Sequence, residues 1–303
     1  MNGTYTIGAS ASDFTTFNAA VAGLTSRGVD GPVLFNVKSG VYNESINLIQ
    51  APGMSAINTV KFTSMANNKD SVRLAWNTAT GNSYVLQFTG NFFNVNAITI
   101  QSIATSGTAV YGVNIGINAS YDTLSNCAVR VPYYYLNTFT AASYTVYANS
   151  VSGVGMSYLN NTFTGSYYGV YYYGNSANRP KYTYWKGNTF DSSYYAPFYY
   201  NYYGNYSTYD GNTFRSRPTV ANTTNYMYWY YQDSAYTFTN NVCDFGTGIS
   251  TYWYNYYKAN TPTARGLVAN NAINALGLLY MYFGNSVTSN LDFYNNSFNM
   301  GTG

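Results

Sequence analysis

One six-residue motif recurs along the C-terminal half of the chain and limits what it can fold into. The motif reads large apolar residue, any residue, Asn or Gly, Asn, any residue, apolar residue. It occurs at 158–163, 185–190, 209–214, 238–243 and 293–298, and with a smaller first residue at 268–273. Its second asparagine falls at Asn161, Asn188, Asn212, Asn241, Asn271 and Asn296, in steps of 24 to 30 residues. A variable period of this size with fixed chemistry at one corner is typical of a parallel β-solenoid.

The corner chemistry predicts what each coil places above the next. Asn and Gly tolerate the left-handed backbone conformation, so they allow a sharp bend at low cost. Stacked coils would superimpose the six asparagines as one ladder. The last motif position would then form an inward apolar column of Ile98, Ala128, Phe163, Phe190, Phe214, Cys243, Ile273 and Phe298, if weaker copies around Asn96 and Asn126 are included. Cys243, and Cys127 beside a corner, are therefore predicted to be small buried hydrophobes and not reactive thiols.

Two further features belong to this corner. The position after the apolar column carries Asp191, Arg215 and Asp244 in consecutive coils. We predict an outer ladder of alternating charge in preference to a catalytic acid pair. The 127–160 stretch is longer than the other repeats and contains a possible extra corner at Asn149, so it predicts an irregular coil or an insertion.

Composition excludes several classes of function. The 303 residues include 38 Tyr but no His, only 8% are charged, and the net charge is +3. Without His there are no imidazole metal sites and no Ser-His or Cys-His nucleophiles. Scattered Lys and Arg give no footprint for nucleic acid, and no apolar run is long enough to span a membrane. We expect a secreted, extracellular protein whose leader is not part of the numbered chain.

The N-terminal part has a different pattern. Phe14, Phe17 and Leu24 recur at helical spacing, which predicts a capping helix over 13–25 with Ser12 or Asp13 as its N-cap. Strands follow, with Val33 and Phe35 alternating with polar residues. We predict one all-β domain, 1–303, with about ten coils stacked from about residue 30 to 303 behind this helix.

The segments DFTTFNAAV and FNVKSGVYNESINL, within residues 13–48, resemble the opening of pectate-lyase-like right-handed parallel β-helix proteins. That group includes secreted bacterial surface proteins and pectinesterases, and FNVNAITI with the NNTF-type corners extends the resemblance along the chain. The resemblance implies the fold and says little about activity. YQDS at 231–234 is similar to one short pectinesterase element, but the family's other sequence blocks and the polygalacturonase His are missing. We therefore expect no enzyme, no catalytic residue, no cofactor and no metal.

A second repeat is built of tyrosine. Five segments align on a closing turn, which gives one column of Tyr172, Tyr202, Tyr230, Tyr256 and Tyr282. Two residues earlier stand Val170, Tyr200, Tyr228, Tyr254 and Tyr280, and four residues earlier stand Tyr168, Phe198, Tyr226, Tyr252 and Leu278. Side chains alternate along a strand, so the three columns share one face, and the opposite face holds Tyr199, Met227, Trp229, Trp253 and Met281. Only one of these faces can point into the solenoid.

An aromatic face of this size exceeds what soluble monomers leave exposed, so a partner is expected to cover it. The first expectation is another copy of the same chain, stacked head to tail as a homopolymer, with Tyr5 and Ile7 at one end and Phe293 and Phe298 at the other. The composition resembles that of tyrosine-ladder subunits of extracellular filaments. The alternative is a secreted adhesin or carbohydrate-binding module with extracellular polysaccharide as its partner.

Overall fold

The computed structural model describes residues 1–105, 109–132, 143–216, 224–232, 234–246, 250–257, 264–283 and 290–301. These residues form a β-solenoid of three parallel sheets with one short helix near the N-terminus. The predicted all-β solenoid with an N-terminal helix is confirmed.

The elements follow one another in a regular order. The first half of the chain contains β1 Gly3–Ile7, α1 Phe17–Arg27, β2 Val33–Val37, β3 Gly40–Tyr42, β4 Ile46–Leu48, β5 Val60–Ser64, β6 Val72–Trp76, β7 Tyr84–Phe88, β8 Phe93–Asn96, β9 Thr99–Ser102, β10 Val110–Ile115, β11 Thr123–Ser125, β12 Ala128–Val131 and β13 Ser143–Val151. The second half contains β14 Ser157–Leu159, β15 Thr162–Gly165, β16 Tyr168–Gly174, β17 Tyr184–Lys186, β18 Thr189–Ser193, β19 Ala196–Tyr202, β20 Thr208–Asp210, β21 Thr213–Ser216, β22 Thr224–Gln232, β23 Thr237–Thr239, β24 Val242–Phe245, β25 Ser250–Tyr257, β26 Gly266–Ala269, β27 Ala272–Ala275, β28 Leu279–Phe283, β29 Leu291–Tyr294 and β30 Ser297–Met300.

Each complete turn contributes one strand to each sheet. Sheet A has 11 strands and runs from β1 through β2, β5 and every third strand to β29. Sheet B has 10 strands from β3 to β30, and sheet C has 9 strands from β4 to β28. The described residues therefore form nine complete turns with an additional strand, β1, at one end and two, β29 and β30, at the other, against the ten coils predicted.

Aligned columns of side chains fill the interior. The inner column of sheet A consists of Tyr5, Phe35, Phe62, Val95, Leu124, Tyr158, Trp185, Tyr209, Phe238, Val268 and Phe293. Every member between the two ends is buried. Tyr158 and Trp185 stack with ring centroids 3.7 Å apart, and such pairs add about 0.5–1.5 kcal/mol beyond burial. This column extends through the whole length of the solenoid.

The N-terminal helix is shorter than predicted and begins later. Its N-cap is Thr16, whose hydroxyl accepts a hydrogen bond from the Ala19 N–H at 3.0 Å. The carboxylate of Glu44 accepts the N–H groups of Phe17 and Asn18, both at 3.0 Å, so a side chain from a following loop completes the helix start. The prediction of Ser12 or Asp13 as N-cap was therefore wrong.

Asp13 instead protects the outer edge of β1. Its Oδ2 accepts the Thr6 N–H at 2.7 Å, and the Phe14 N–H donates to the Thr6 carbonyl at 3.0 Å. These contacts occupy backbone groups that would otherwise offer an edge for strand pairing. The N-terminal end of the solenoid is thus covered by its own chain.

The irregular coil predicted over 127–160 lies at β13. This strand is nine residues long, and its register with β16 shifts between Asn149 and Val151. Ser150 takes the left-handed conformation at that shift, with φ of 57°. Residues 133–142 of the same coil lie outside the described residues.

Candidate functional site

The structure brings the six corner asparagines together as one continuous hydrogen-bonded ladder. The Asn161 N–H donates to Asn188 Oδ1 at 2.9 Å, and Asn188 N–H donates to Asn212 Oδ1 at the same distance. The pattern repeats to Asn241, Asn271 and Asn296. Each side-chain Nδ2 also donates to a backbone carbonyl of the preceding turn, as from Asn188 to the Tyr158 oxygen at 2.8 Å. One side chain thereby satisfies a backbone N–H and a backbone carbonyl of the preceding turn.

The bend itself is made by the residue before each ladder asparagine. Positive φ values of 53–64° occur at this position, which is occupied by Asn160, Gly187, Gly211, Asn240, Asn270 and Asn295. The two amide-rich motif positions therefore have separate tasks, the first bending the backbone and the second bonding the turns together.

The observed strand register differs from the one predicted for the coils around Asn96 and Asn126. Asn126 has positive φ and aligns with Asn160, so Cys127 occupies the ladder position below Asn161. The Cys127 N–H donates to Asn161 Oδ1 at 2.9 Å. In the inward apolar column, Ile100 and Val129 accordingly take the places predicted for Ile98 and Ala128, and the column continues from Phe163 to Phe298 as predicted.

The predicted tyrosine columns are in register over only part of their length. Tyr202 pairs with Tyr230, Tyr230 with Tyr256, and Tyr228 with Tyr254. Tyr172 pairs with Asn201 in place of Tyr202, because the register of β16 with β19 shifts between Tyr171 and Tyr172. At the other end the partners of Tyr280 and Tyr282 are Tyr252 and Tyr254, two residues away from those predicted.

The register shifts also change which face points inward. Tyr172 and Phe198 are buried in the interior, whereas Met227, Trp229 and Trp253 are the buried residues of the following two strands. A second register shift, between Phe198 and Asn201, reverses which alternate side chains of the strand point inward. The prediction that one tyrosine face extends along all five strands was therefore wrong.

Several predicted ladder residues are only partly described. Tyr200, Tyr230, Tyr254 and Tyr256 have described backbones, but their side chains lie outside the described part of the structure. Tyr280 and Tyr282 are exposed, and Tyr202 is half-buried and stacks on Tyr173 at 5.2 Å.

Neighbouring phenol rings, most of them stacked, nevertheless form a connected path along sheet C, which we call the tyrosine path. It runs through Tyr111, Tyr144, Tyr168, Tyr199, Tyr228, Tyr226, Tyr252 and Tyr280, with successive centroids 4.2–5.7 Å apart. Burial, with the neighbouring Tyr147 phenol, raises the pKa of Tyr111 to about 12, and burial among phenols likewise raises the pKa of Tyr144. Both rings are therefore neutral at physiological pH, which suits close stacking.

The last turn leaves an apolar surface, which we call the open end. Phe293 is 43% exposed, Phe298 37% and Met300 58%. Together with Met281 and Leu291 they line a cavity of about 350 Å³. Strands β28, β29 and β30 are the last of their sheets, so their outer edges lie on this surface. Phe293 and Tyr5, from opposite predicted assembly surfaces, are the two ends of one inner column.

The other two predicted assembly residues differ in their placement. Phe298 belongs to the open end, but Ile7 is fully buried inside the first turn. Tyr5 is half-buried between Phe14 and Phe35, with centroid distances of 6.1 and 5.9 Å. The Ile7 side chain therefore cannot contact a second copy as predicted, because its own chain covers it.

The outer charge ladder does not form. Arg215 pairs in register with Asp244, but none of Asp191, Arg215 and Asp244 forms an ion pair with another. The register of β18 with β21 shifts between Phe190 and Ser193, and the Asp191 carboxylate accepts the Ser192 hydroxyl at 3.0 Å. Among the described residues no group of His, Cys, Asp or Glu could hold a metal ion. Of the YQDS element, the Gln232 side chain and Asp233 lie outside the described part.

Sequence reasoning missed a second left-handed corner, between sheets C and A, which we call the aromatic corner. Phe92, Tyr121, Gly155, Tyr182 and Tyr206 occupy it in consecutive turns with φ of 54–73°. Bulky side chains avoid this conformation, which costs roughly 1–2 kcal/mol per residue. The pairs Phe92–Tyr121 and Tyr182–Tyr206 stack at 5.3 and 5.0 Å. No Asn or Gly pattern marks this corner, so only the irregularly spaced Tyr residues could have indicated it.

Comparison with solved structures finds this architecture in pectin methylesterases. A rice weevil pectin methylesterase aligns with a TM-score of 0.54 at 11% identity, over 97% of this chain and 88% of its own. Pectin methylesterase PemA from Erwinia chrysanthemi aligns with a TM-score of 0.52 at 11% identity, over 97% and 89%. The Escherichia coli protein YbhC gives 0.54 at 12% identity, over 98% and 84%. Identity this low shows the fold alone, so the chain is a parallel β-helix protein of pectin methylesterase-like fold.

Neither a protein-family model nor a curated protein sequence matches the chain. A separate search for membrane spans finds no helix among the described residues that is long and apolar enough to cross a bilayer.

Proposed function

We propose that this protein is a structural subunit of an extracellular filament, in which the open end of one copy docks on the N-terminal end of the next. The observation that carries the proposal is the open end itself. Its exposed Phe293, Phe298 and Met300 continue the interior columns, and burying them removes apolar surface from water. A contact between two different surfaces of one chain repeats without closing, which gives a fibre.

The covered N-terminal end determines how the joint would form. The outer edge of β1 is occupied by Asp13 and Phe14, so strand addition there would first require their displacement. We infer that the open end packs against α1 and residues 8–16 as they stand. The joint then depends on apolar burial more than on new backbone hydrogen bonds, and growth adds subunits in one orientation.

The low charge and the stacked phenols support a structural role. With 8% charged residues, side-by-side copies repel one another weakly. The tyrosine path stiffens sheet C through ring stacking within each subunit. We propose no catalytic activity for the chain.

Electron microscopy with size-exclusion chromatography tests the assembly. The wild-type chain should form thin fibres of uniform diameter. Phe298→Asp, which places a charge in the open end, should leave a folded monomer, because its site is already partly exposed. Ile103→Asp is the matched control, since Ile103 is exposed in the third complete turn, away from both ends, and it should still form fibres. A discrete dimer, a stable monomer at high concentration, or fibres from Phe298→Asp would overturn the proposal.

A carbohydrate-binding role is the second candidate, favoured by a depression on the outer face of sheet C. Amides of Gln87, Asn114, Asn118 and Asn149 and the ring of Tyr147 contribute to a cavity of about 470 Å³. Amides and phenols bind sugar hydroxyls. Replacing Trp229 or Trp253 does not test this role, because both indoles are buried in the core.

Asn114→Ala addresses it directly, since Asn114 is half-buried in a strand whose backbone pairing is unaffected. If the Asn114→Ala variant loses glycan binding on an array while it still forms fibres, the result would support the adhesin function.

A further inference from the structure

We propose that a groove beside the aromatic corner binds an anionic polysaccharide. The groove has a volume of about 370 Å³ and is lined by Ser152, Val154, Ala177, Asn178, Arg179, Lys181 and Asn205. Two of these residues are cations, and none of the described lining residues is acidic. The inference does not depend on filament formation and concerns a different surface from the open end.

Lys181 offers a positive charge to a ligand in the groove. Lys181 is exposed, and its Nζ forms no ion pair with a described residue. The Arg179 guanidinium lies 5.1 Å from the centre of the Tyr203 ring, a cation–π contact that fixes its position. A carboxylate or sulfate at the Lys181 ammonium would form charge-assisted hydrogen bonds, which are stronger than neutral ones.

The groove borders the strained aromatic corner. Val154, Lys181 and Asn205 form consecutive bridges between turns, and each is followed in the chain by a corner residue. Tyr182 and Tyr206 thereby lie next to the groove with 42% and 39% of their surface exposed. Because these rings are exposed, burial in the core does not compensate for the backbone strain at Tyr182 and Tyr206. The strain therefore points to a role at the surface. The C–H groups on the face of a sugar ring are attracted to an aromatic face by its quadrupole.

A third observation concerns the floor of the groove. Asn205 Oδ1 is buried and accepts no hydrogen bond in the structure. Unpaired buried acceptors are rare in folded proteins. A rotation of this amide would offer it to a sugar hydroxyl, so the groove combines a neutral acceptor with Lys181 and the rings. This set fits a sugar polymer with anionic groups better than a lone inorganic anion or a neutral glycan.

Isothermal titration calorimetry at low ionic strength, with alginate, dextran sulfate and neutral dextran as probes, tests the site. At least one anionic polymer should bind, and neutral dextran should not. Binding of alginate alone would assign the anionic group as a carboxylate, and binding of dextran sulfate alone as a sulfate. Binding of neither, or equal binding of dextran, would overturn the proposal.

Variants locate the binding. Lys181→Gln should weaken it about two- to fivefold, the effect of one exposed charge contact. Arg73→Gln, an equal change of charge at an exposed residue of sheet B, should leave it unchanged. Tyr182→Asn should abolish binding without lowering stability, because Asn tolerates positive φ. An equal loss for Arg73→Gln would show a general charge effect and refute the groove. Fibre formation by Lys181→Gln, followed separately, distinguishes failure of this site from failure of assembly.

Discussion

At the scale of single residues, each ladder asparagine replaces hydrogen bonds that a tight corner cannot make within its own backbone. Asn212 is fully buried, accepts from the N–H of Asn188, and donates to the Trp185 carbonyl at 2.8 Å. Its own N–H donates to Asn241 Oδ1 at 2.9 Å. Buried backbone groups must be paired, so this corner requires the hydrogen bonds that the ladder supplies.

Asn212→Ala should destabilise the protein strongly. The substitution leaves the Asn188 N–H and the Trp185 carbonyl without partners, so the free energy of unfolding should fall by about 2–4 kcal/mol. Chemical denaturation followed by tryptophan fluorescence measures this loss.

The matched control is Asn274→Ala, at a half-exposed site where the amide donates to Asp244 Oδ1 at 2.9 Å. Its effect should stay within about 0.5 kcal/mol. Equal losses of unfolding free energy for Asn212→Ala and this control would show that a ladder asparagine stabilises the protein no more than a surface amide does.

Asp122 gives the protein a specific pH dependence. Burial raises the pKa of its carboxyl to about 8, although one oxygen accepts the Phe93 N–H at 2.8 Å. In the unfolded chain the pKa is about 4. Between these values the folded state keeps a proton that the unfolded state releases, so stability falls as pH rises, by at most about 1.4 kcal/mol per pH unit. The contribution is fully present below pH 4 and is lost once pH passes 8.

Asp122→Asn should therefore flatten the stability profile and stabilise the protein at pH 8, since the amide oxygen can still accept the Phe93 N–H. Urea denaturation at intervals from pH 4 to 9 measures both profiles. Asp70→Asn, at an exposed carboxylate 3.3 Å from Arg130, is the control and should leave the slope intact. An unchanged slope in Asp122→Asn would mean that this carboxyl is already ionised in the fold.

At the scale of secondary-structure elements, α1 depends on a residue outside it. The first-turn N–H groups of a helix have no partner within the helix, and Glu44, the only Glu of the chain, accepts two of them. Glu44→Ala should cost about 1–2 kcal/mol and expose the N-terminal end locally. Hydrogen exchange should show faster exchange at Phe17 and Asn18.

Glu44→Gln, which keeps an acceptor oxygen, should lose about half as much protection. If exchange in α1 is the same in wild type and Glu44→Ala, packing alone holds the helix.

The elements also show what the sequence could predict and what it could not. The corner repeat predicted the sheets and the ladder from Asn161 onward, because left-handed corners select Asn and Gly directly. Strand register in sheet C could not be read in this way. A bulge adds a residue without changing composition, and runs of Tyr such as 171–173 look alike in several registers. The predicted partners of Tyr172, Tyr280 and Tyr282 were therefore wrong, while the Tyr228–Tyr254 pair was predicted correctly.

The candidate sites likewise divide into those that the sequence could predict and those that it could not. Phe298 at the open end was predictable from the corner repeat, since its column is set by the motif. The aromatic corner and its groove were not, because left-handed Tyr182 and Tyr206 contradict the preferences from which a corner is recognised. Burial of Trp229 and Trp253 depends on the bulge after Phe198, which no local pattern indicates.

At the scale of the whole molecule, each turn contacts its neighbours, so stability is distributed along the axis and the two ends need not be equal. The N-terminal end is covered by α1 and by Asp13, whereas the open end exposes apolar side chains and strand edges. Local unfolding should therefore begin at the open end and progress toward the helix.

The two cysteines report on this gradient because they lie at different depths along the axis. Both are buried and unpaired, Cys127 in the fourth complete turn and Cys243 in the eighth. Burial raises the pKa of Cys127 to about 12 and also raises that of Cys243, so neither reacts while its turn is folded. In moderate denaturant, the Cys127→Ala variant should be labelled by a maleimide at Cys243 faster than the Cys243→Ala variant is labelled at Cys127. Mass spectrometry of timed samples measures the two rates.

The same experiment on assembled fibres links the gradient to the proposed joint. A second copy on the open end would cover the exposed Phe293 and Phe298, so fraying there would cease and Cys243 labelling should slow toward the rate at Cys127. Labelling that is equal at both thiols before assembly would show that the solenoid unfolds as one cooperative unit. A Cys243 rate that does not change on assembly would show that the open end stays uncovered in the fibre, and the joint would then have to be sought elsewhere on the molecule.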